Sequence, residues 1–250
     1  MRKTIRRTAS AVLTAAVVAG VATAGVVQAS ADEVRPVVAA AATSTAAADD
    51  ALVQAWYRVY LGRTAAQAAG DSGRTYWVKQ LQSGAKQSDV LWRILHSREY
   101  NQLEIADMYD AYLGRTMDSG AKYWVDSTSD RGMALEWVEQ NILASDEYAR
   151  SGSLVKRWYA DVLYRSPSAG EVAYWDGRVK AKGRLTALRE LWYASEVVDL
   201  HLAFNYEALL GRAVDAGGRA YWYPKQVESD VNVKTLIGAT TEFRCRHLAA

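Results

Sequence analysis

One stretch, met four times, constrains this chain more than any other feature. It reads Trp56-Tyr57-Arg58-Val59-Tyr60-Leu61-Gly62-Arg63 and is followed by Tyr76-Trp77. The second copy runs from Met108 to Arg115 with Tyr123-Trp124, and the third from Trp158 to Arg165 with Tyr174-Trp175. The fourth runs from Asn205 to Arg212 with Tyr221-Trp222. Successive tryptophans of the Tyr-Trp pairs lie 47, 51 and 47 residues apart. A period of this size marks a repeat architecture, in which each supersecondary unit buries its apolar face only by packing on its neighbours.

Each copy opens on a helical pattern. Val53, Trp56, Tyr57, Tyr60 and Leu61 fall at i, i+3, i+4, i+7 and i+8, which lines one face of a helix. Ile105, Met108, Tyr109, Tyr112 and Leu113 repeat the spacing, as do Val155, Trp158, Tyr159, Val162 and Leu163. Gly62, Gly114 and Gly211 follow the last apolar residue, where a left-handed residue stops a helix. Tyr164 holds that place in the third copy, so its turn is made at some strain or differently. Asp71, Asp118, Ser168 and Asp215 then sit where a side chain caps the next helix, the one with the Tyr-Trp pair.

A third apolar run ends each copy, and its hydroxyl residue (Ser97, Ser145, Ser195 or Thr240) suits the cap of a following helix. Strand alternation is nearly absent. The expectation is an all-α fold of four tandem three-helix repeats of about 50 residues, packed as a helical array, over 50–100, 101–150, 151–198 and 199–250.

The pattern Tyr…Leu-Gly-Arg, Asp-x-x-Gly or a near variant, Tyr-Trp, then an apolar helix ending in Ser-x-Glu-Tyr, resembles the domain-of-unknown-function 4214 family. A more distant likeness is to the linker domains of phycobilisomes. The resemblance covers roughly Asp50 to Phe243. It implies a helical module of secreted and surface bacterial proteins, often in tandem, and it implies no activity.

The first residues carry Arg2, Lys3, Arg6 and Arg7, followed by an Ala/Val-rich run from Ala11 to Val27 and by Ala29-Ser30-Ala31. A charged start, an apolar middle and small residues at the end make a secretory signal peptide over 1–31. Residues 32–49 are rich in Ala, Val, Thr and Ser and read as a flexible tether. Without the leader the chain has 26 basic and 28 acidic residues. That balance shows no basic stripe for nucleic acid. Secretion and no membrane contact after cleavage are the expected setting. Cys245 is the one cysteine, so it stays free or pairs with another chain.

The recurring arginines Arg63, Arg115, Arg165 and Arg212 have two readings. They are anion contacts, or they pair carboxylates such as Glu99, Glu147 and Glu242 within the module, the reading preferred here. Trp77, Trp124, Trp175 and Trp222 either stack on sugars or fill the core, and their helical spacing favours the core. Trp92 and Trp137 are less regular between copies and are the better candidates for an exposed binding contact.

One Asp per loop is too few for calcium, and His96, His201 and His247 show no metal spacing. No catalytic motif stands out, and no cofactor or metal is expected. The expected function is therefore a secreted, non-catalytic binding or scaffold protein of the bacterial envelope. Its partner would be an extracellular protein or a cell-wall polysaccharide, and self-association through Cys245 stays open. The alternative is a wall or polysaccharide hydrolase whose site comes from non-repeated residues, with Asp89 or Asp126 in an acidic pair.

Overall fold

A threonine starts the first helix. Thr45 is extended and its hydroxyl accepts from the Ala48 N–H, so α1 runs over Ala46–Tyr60. The structure is a computed structural model that describes residues 45–150 and 152–248. The leader read over 1–31 and the tether up to residue 44 lie outside the described residues. Residues 46–49, read as the end of the tether, belong to α1, and Asp49 is buried. Alanine has the highest helix propensity, and with a cap in place it extends the helix without apolar periodicity.

Helices follow one another down the chain, and no strand occurs among the described residues. In the first repeat, α2 (Ala65–Gly70), α3 (Gly73–Gln82) and α4 (Gln87–Leu95) follow α1. The extra helix α2 occupies the longer loop of that repeat and starts on a reciprocal Thr64–Gln67 capping box. The second repeat has α5 (Arg98–Met108), prolonged by a π-helical turn Tyr109–Leu113. A short 3-10 turn, Ser119–Ala121, leads into α6 (Lys122–Arg131), and α7 (Leu135–Leu143) follows. The third has α8 (Asp146–Ala149), α9 (Leu154–Val162), α10 (Ala169–Lys182) and α11 (Arg184–Trp192). The fourth has α12 (Ser195–Leu210), α13 (Ala216–Glu228) and α14 (Asp230–Gly238), and α15 (Thr241–Leu248) ends the described chain.

Ser97, Ser145 and Thr240 cap α5, α8 and α15 by accepting the N–H of Tyr100, Tyr148 and Phe243. Ser195 departs from this, because it is already the first residue of α12. The Ser-x-Glu-Tyr segment therefore opens the first helix of the next repeat. The repeat boundaries drawn at residues 100 and 198 fall inside α5 and α12. In the third repeat Gly152, at φ 75°, and Ser153, which accepts from the Lys156 N–H, separate α8 from α9. The same segment is one continuous helix in α12, and the break accounts for part of the longer spacing before the third copy.

Gly62, Gly114 and Gly211 turn left-handed at φ 67°, 68° and 67°, and Tyr164 adopts the same turn at φ 53°. A side chain in that region costs about 1–2 kcal/mol. At Gly114 an added Cβ meets nothing within 4 Å, so only the backbone term acts. Gly114→Ala is expected to lower stability by about 1 kcal/mol, read as a lower urea midpoint with unchanged slope.

The chain divides into two compact units. The first joins the described residues up to Trp92 with Ala203–Trp222 and the described residues from Val233 on. In it Trp56 is fully buried, and its indole N–H donates to the Gly238 carbonyl at 2.9 Å. The Tyr60 hydroxyl donates to Lys234 at 2.9 Å, and its ring stacks on Phe243 at 6.2 Å. The second unit is Arg93–Leu202 with Tyr223–Asn232. In it Trp158 is fully buried and donates to the Leu143 carbonyl at 2.9 Å. Gly238 and Leu143 stand at the same distance before Thr240 and Ser145. So α1 docks on the end of α14 as α9 docks on the end of α7. With α15 capped like α8, the two ends of the described chain together reproduce the α8–α9 arrangement.

Candidate functional site

The recurring polar residues form one cluster per repeat. Arg63, Arg115, Arg165 and Arg212 each lie over a tyrosine of the preceding helix, namely Tyr57, Tyr109, Tyr159 and Tyr206, at 4.4, 4.8, 4.7 and 5.0 Å. Each tyrosine hydroxyl takes a hydrogen bond from its repeat's Tyr-Trp tryptophan: Trp77, Trp124, Trp175 and Trp222. The Trp175 bond measures 3.0 Å. Burial pushes all four phenols above their ordinary pKa. Cation, ring and indole thus lock the loop to two helices.

Carboxylates complete the cluster. Arg63 pairs with Asp71, and Arg115 with Asp118 at 2.9 Å and Glu147 at 2.5 Å. Arg165 pairs with Glu171 and Glu196, each at 2.6 Å, and Arg212 pairs with Asp215 at 2.9 Å and with Glu242. The loop aspartates have two tasks. One oxygen of Asp71, Asp118 and Asp215 caps the next helix through the N–H of Gly73, Gly120 and Gly218, and the other takes the arginine. The third repeat divides the tasks. Ser168 caps α10 by accepting from the Glu171 N–H, and Glu171 holds Arg165 while accepting from the Ser168 N–H.

Hydrogen bonds from Arg165 and Ser168 hold the Glu171 carboxyl down at about 2. A depressed folded-state pKa adds stability that is present above the unfolded glutamate range and lost as pH falls toward about 2. The expected result is a thermal midpoint that drops between pH 5 and pH 2.5. The gap between wild type and Glu171→Gln should close over that interval, and a gap independent of pH would contradict the pairing.

The Tyr-Trp tryptophans and their tyrosines face different ways. Trp175 and Trp222 are buried, and Trp77 and Trp124 are half-buried. Tyr76, Tyr123, Tyr174 and Tyr221 are exposed by 51, 49, 57 and 40%. Each ring packs edge-on against its own tryptophan at 4.8–5.0 Å. Each repeat therefore holds one aromatic ring outward on a rigid support.

Of the irregular tryptophans, Trp92 is 46% exposed on α4, within the first unit. Trp137 is half-buried on α7, meets Trp124 edge-on at 5.6 Å, and lines a cavity of about 380 Å³ in the second unit. That cavity lies between α7, α11, the start of α12 and the α13–α14 junction. Its aromatic walls are Trp137, Trp192 and Tyr193, and Arg189, Gln140 and His201 supply polar groups. Two carboxylates at the junction are engaged. Glu136 accepts from the Asp230 N–H at 2.7 Å and from the Ser229 hydroxyl at 3.2 Å, and Asp230 accepts from Gln226 at 2.7 Å.

The acids named for a hydrolytic pair are placed elsewhere. Asp126 accepts from Arg98 at 2.7 Å and from Lys122 at 2.5 Å, which hold its carboxyl below the usual range. Asp89, on α4, accepts from the Ser88 hydroxyl at 3.4 Å. Cys245 is exposed on α15. No group of His, Cys, Asp and Glu that would hold a metal occurs among the described residues.

Sequence reasoning missed Glu171 and Glu196 as arginine partners, and missed Arg189, Trp192 and Tyr193 as cavity residues. Glu196 was findable, because it precedes Val197 at the place where Glu147 precedes Tyr148. No curated protein and no solved structure matches the chain. Residues 37–104 match the family model "Domain of unknown function (DUF4214)", so the first repeat, with its Leu-Gly-Arg turn and Tyr-Trp pair, resembles that family.

Proposed function

We propose that this chain is a secreted, non-catalytic binding module of the bacterial envelope or extracellular space, and that it grips a cell-wall polysaccharide. The observation that carries this reading is the outward ring in each repeat. Tyr76, Tyr123, Tyr174 and Tyr221 are exposed, while their tryptophans, arginines and acids are taken up inside the repeat. A rigidly backed, exposed aromatic supplies contact area at low entropic cost. Each compact unit holds two such rings, and this recurrence suits a ligand that itself repeats, because weak contacts add up once they are linked. Export is supported by the charged, apolar and small-residue order of the first 31 residues.

The test is sedimentation of the purified chain with insoluble peptidoglycan and with intact cells, together with an assay for soluble fragments. Wild type is expected in the pellet without release of fragments. A variant with all four tyrosines changed to serine is expected to stay in the supernatant with an unaltered far-UV spectrum. Released fragments would overturn the reading in favour of a hydrolase. Equal sedimentation of wild type and variant would remove the tyrosines from the binding surface.

A further inference from the structure

The cavity of the second unit combines features that the repeat motif does not require. Its volume of about 380 Å³ falls at the lower end of the range of small-molecule sites, which begins near 300 Å³. Trp137 and Tyr193 line its wall, and Tyr193 is 54% exposed. Trp192 is buried, lines the same cavity and packs edge-on against His201 at 5.0 Å. Ring faces of this kind stack on the apolar face of a pyranose.

Arg189 decides the ligand's charge. Its Nε donates to the Gln140 side-chain oxygen at 3.2 Å, which fixes the plane of the guanidinium. Gln140 is itself buried, so the anchor is rigid. Among the described residues the Arg189 guanidinium pairs with no carboxylate, unlike the four arginines of the repeat motif. A planar fork held on one side is pre-organised to take a carboxylate in two parallel hydrogen bonds. Glu136, Glu228 and Asp230 line the same cavity. Three acids beside one arginine repel a doubly charged group such as a phosphate more strongly than a singly charged one, and Glu228 can accept from the hydroxyls of such a ligand.

We infer that this cavity binds one monocarboxylated sugar ring, of the uronic-acid class, with its carboxylate on Arg189 and its ring against Trp137 and Tyr193. The site is independent of Tyr76, Tyr123, Tyr174 and Tyr221, none of which lines the cavity.

The test is calorimetric titration of the full chain with sodium glucuronate, with glucose, and with glucose 6-phosphate. Glucuronate is expected to bind at least about tenfold more tightly than either of the others. Arg189→Gln should abolish that preference. Tyr193→Ala, a truncation at an exposed position, should weaken glucuronate binding while leaving the thermal midpoint in place. The variant with four tyrosines changed to serine should keep full glucuronate affinity, so failure of the wall-binding reading and failure of this one are separable. Equal affinity for glucuronate and glucose, tighter binding of the phosphate, a preference that survives Arg189→Gln, or no measurable heat with any of the three would each overturn the inference.

Discussion

Trp56→Ala is expected to remove about 3–5 kcal/mol of stability, the cost of emptying a fully buried aromatic site. Two terms add up here. The indole is wholly excluded from water, and its removal leaves a cavity in a unit whose Leu52, Leu91 and Phe243 are also fully buried. The indole N–H also satisfies the Gly238 carbonyl at 2.9 Å. Trp56→Phe separates the terms, because it keeps most of the volume and removes the donor. It should cost about 1–3 kcal/mol, the price of an unsatisfied buried acceptor. Trp158→Ala and Trp158→Phe should follow the same pattern through Leu143, since that pair repeats the geometry at 2.9 Å. The measurement is the urea midpoint of all four variants. A loss below about 1 kcal/mol for Trp56→Ala would contradict the docking of α1 on α14.

How much of this fold the sequence discloses depends on the range of the interaction. The i, i+3, i+4 stripes over Val53–Leu61 and Val155–Leu163 announce their helices, because periodicity is local and burial follows it. Glycine at 62, 114 and 211 announces the turns for a similar reason, and Tyr164 shows that the conformation belongs to the repeat rather than to glycine. The start of α1 at Ala46 was hidden, since alanine carries no apolar stripe. The docking of Trp56 on Gly238 joins residues 182 positions apart, and no local pattern encodes it.

The site divides in the same manner. Recurrence pointed to Arg115 and Arg212, and Glu147 and Glu242 hold them. Glu171 escaped notice because the third repeat moves the acid three residues along the helix and leaves Ser168 as the cap. The outward tyrosines were legible in principle. Adjacent residues on a helix point about 100° apart, so a tryptophan facing inward turns the tyrosine before it toward solvent. The cavity was not legible, because Gln140, Arg189 and the α13–α14 junction meet only in the folded unit.

The same substitution at two glycines should have opposite effects, and the difference tests how closely the first and last repeats pack. Gly177 lies in the middle of α10, and an added Cβ there meets nothing within 4 Å. Gly177→Ala should therefore gain stability, by about 0.5–1 kcal/mol, from helix propensity and a less flexible unfolded chain. Gly238, the last residue of α14, offers no such room, because a Cβ would run into the Tyr60 hydroxyl and a methyl of Leu91. Neither neighbour yields easily. Tyr60 is buried and bonded to the Lys234 carbonyl at 2.9 Å, and Leu91 is fully buried. Gly238→Ala should cost about 1–3 kcal/mol through overpacking, despite the better helix former. Adding Tyr60→Phe, which removes the hydroxyl that the methyl strikes, should recover part of that loss. The coupling is read as non-additivity in the urea midpoints of the two single variants and the double variant. Strict additivity would mean that α14 does not press on α1 at this point.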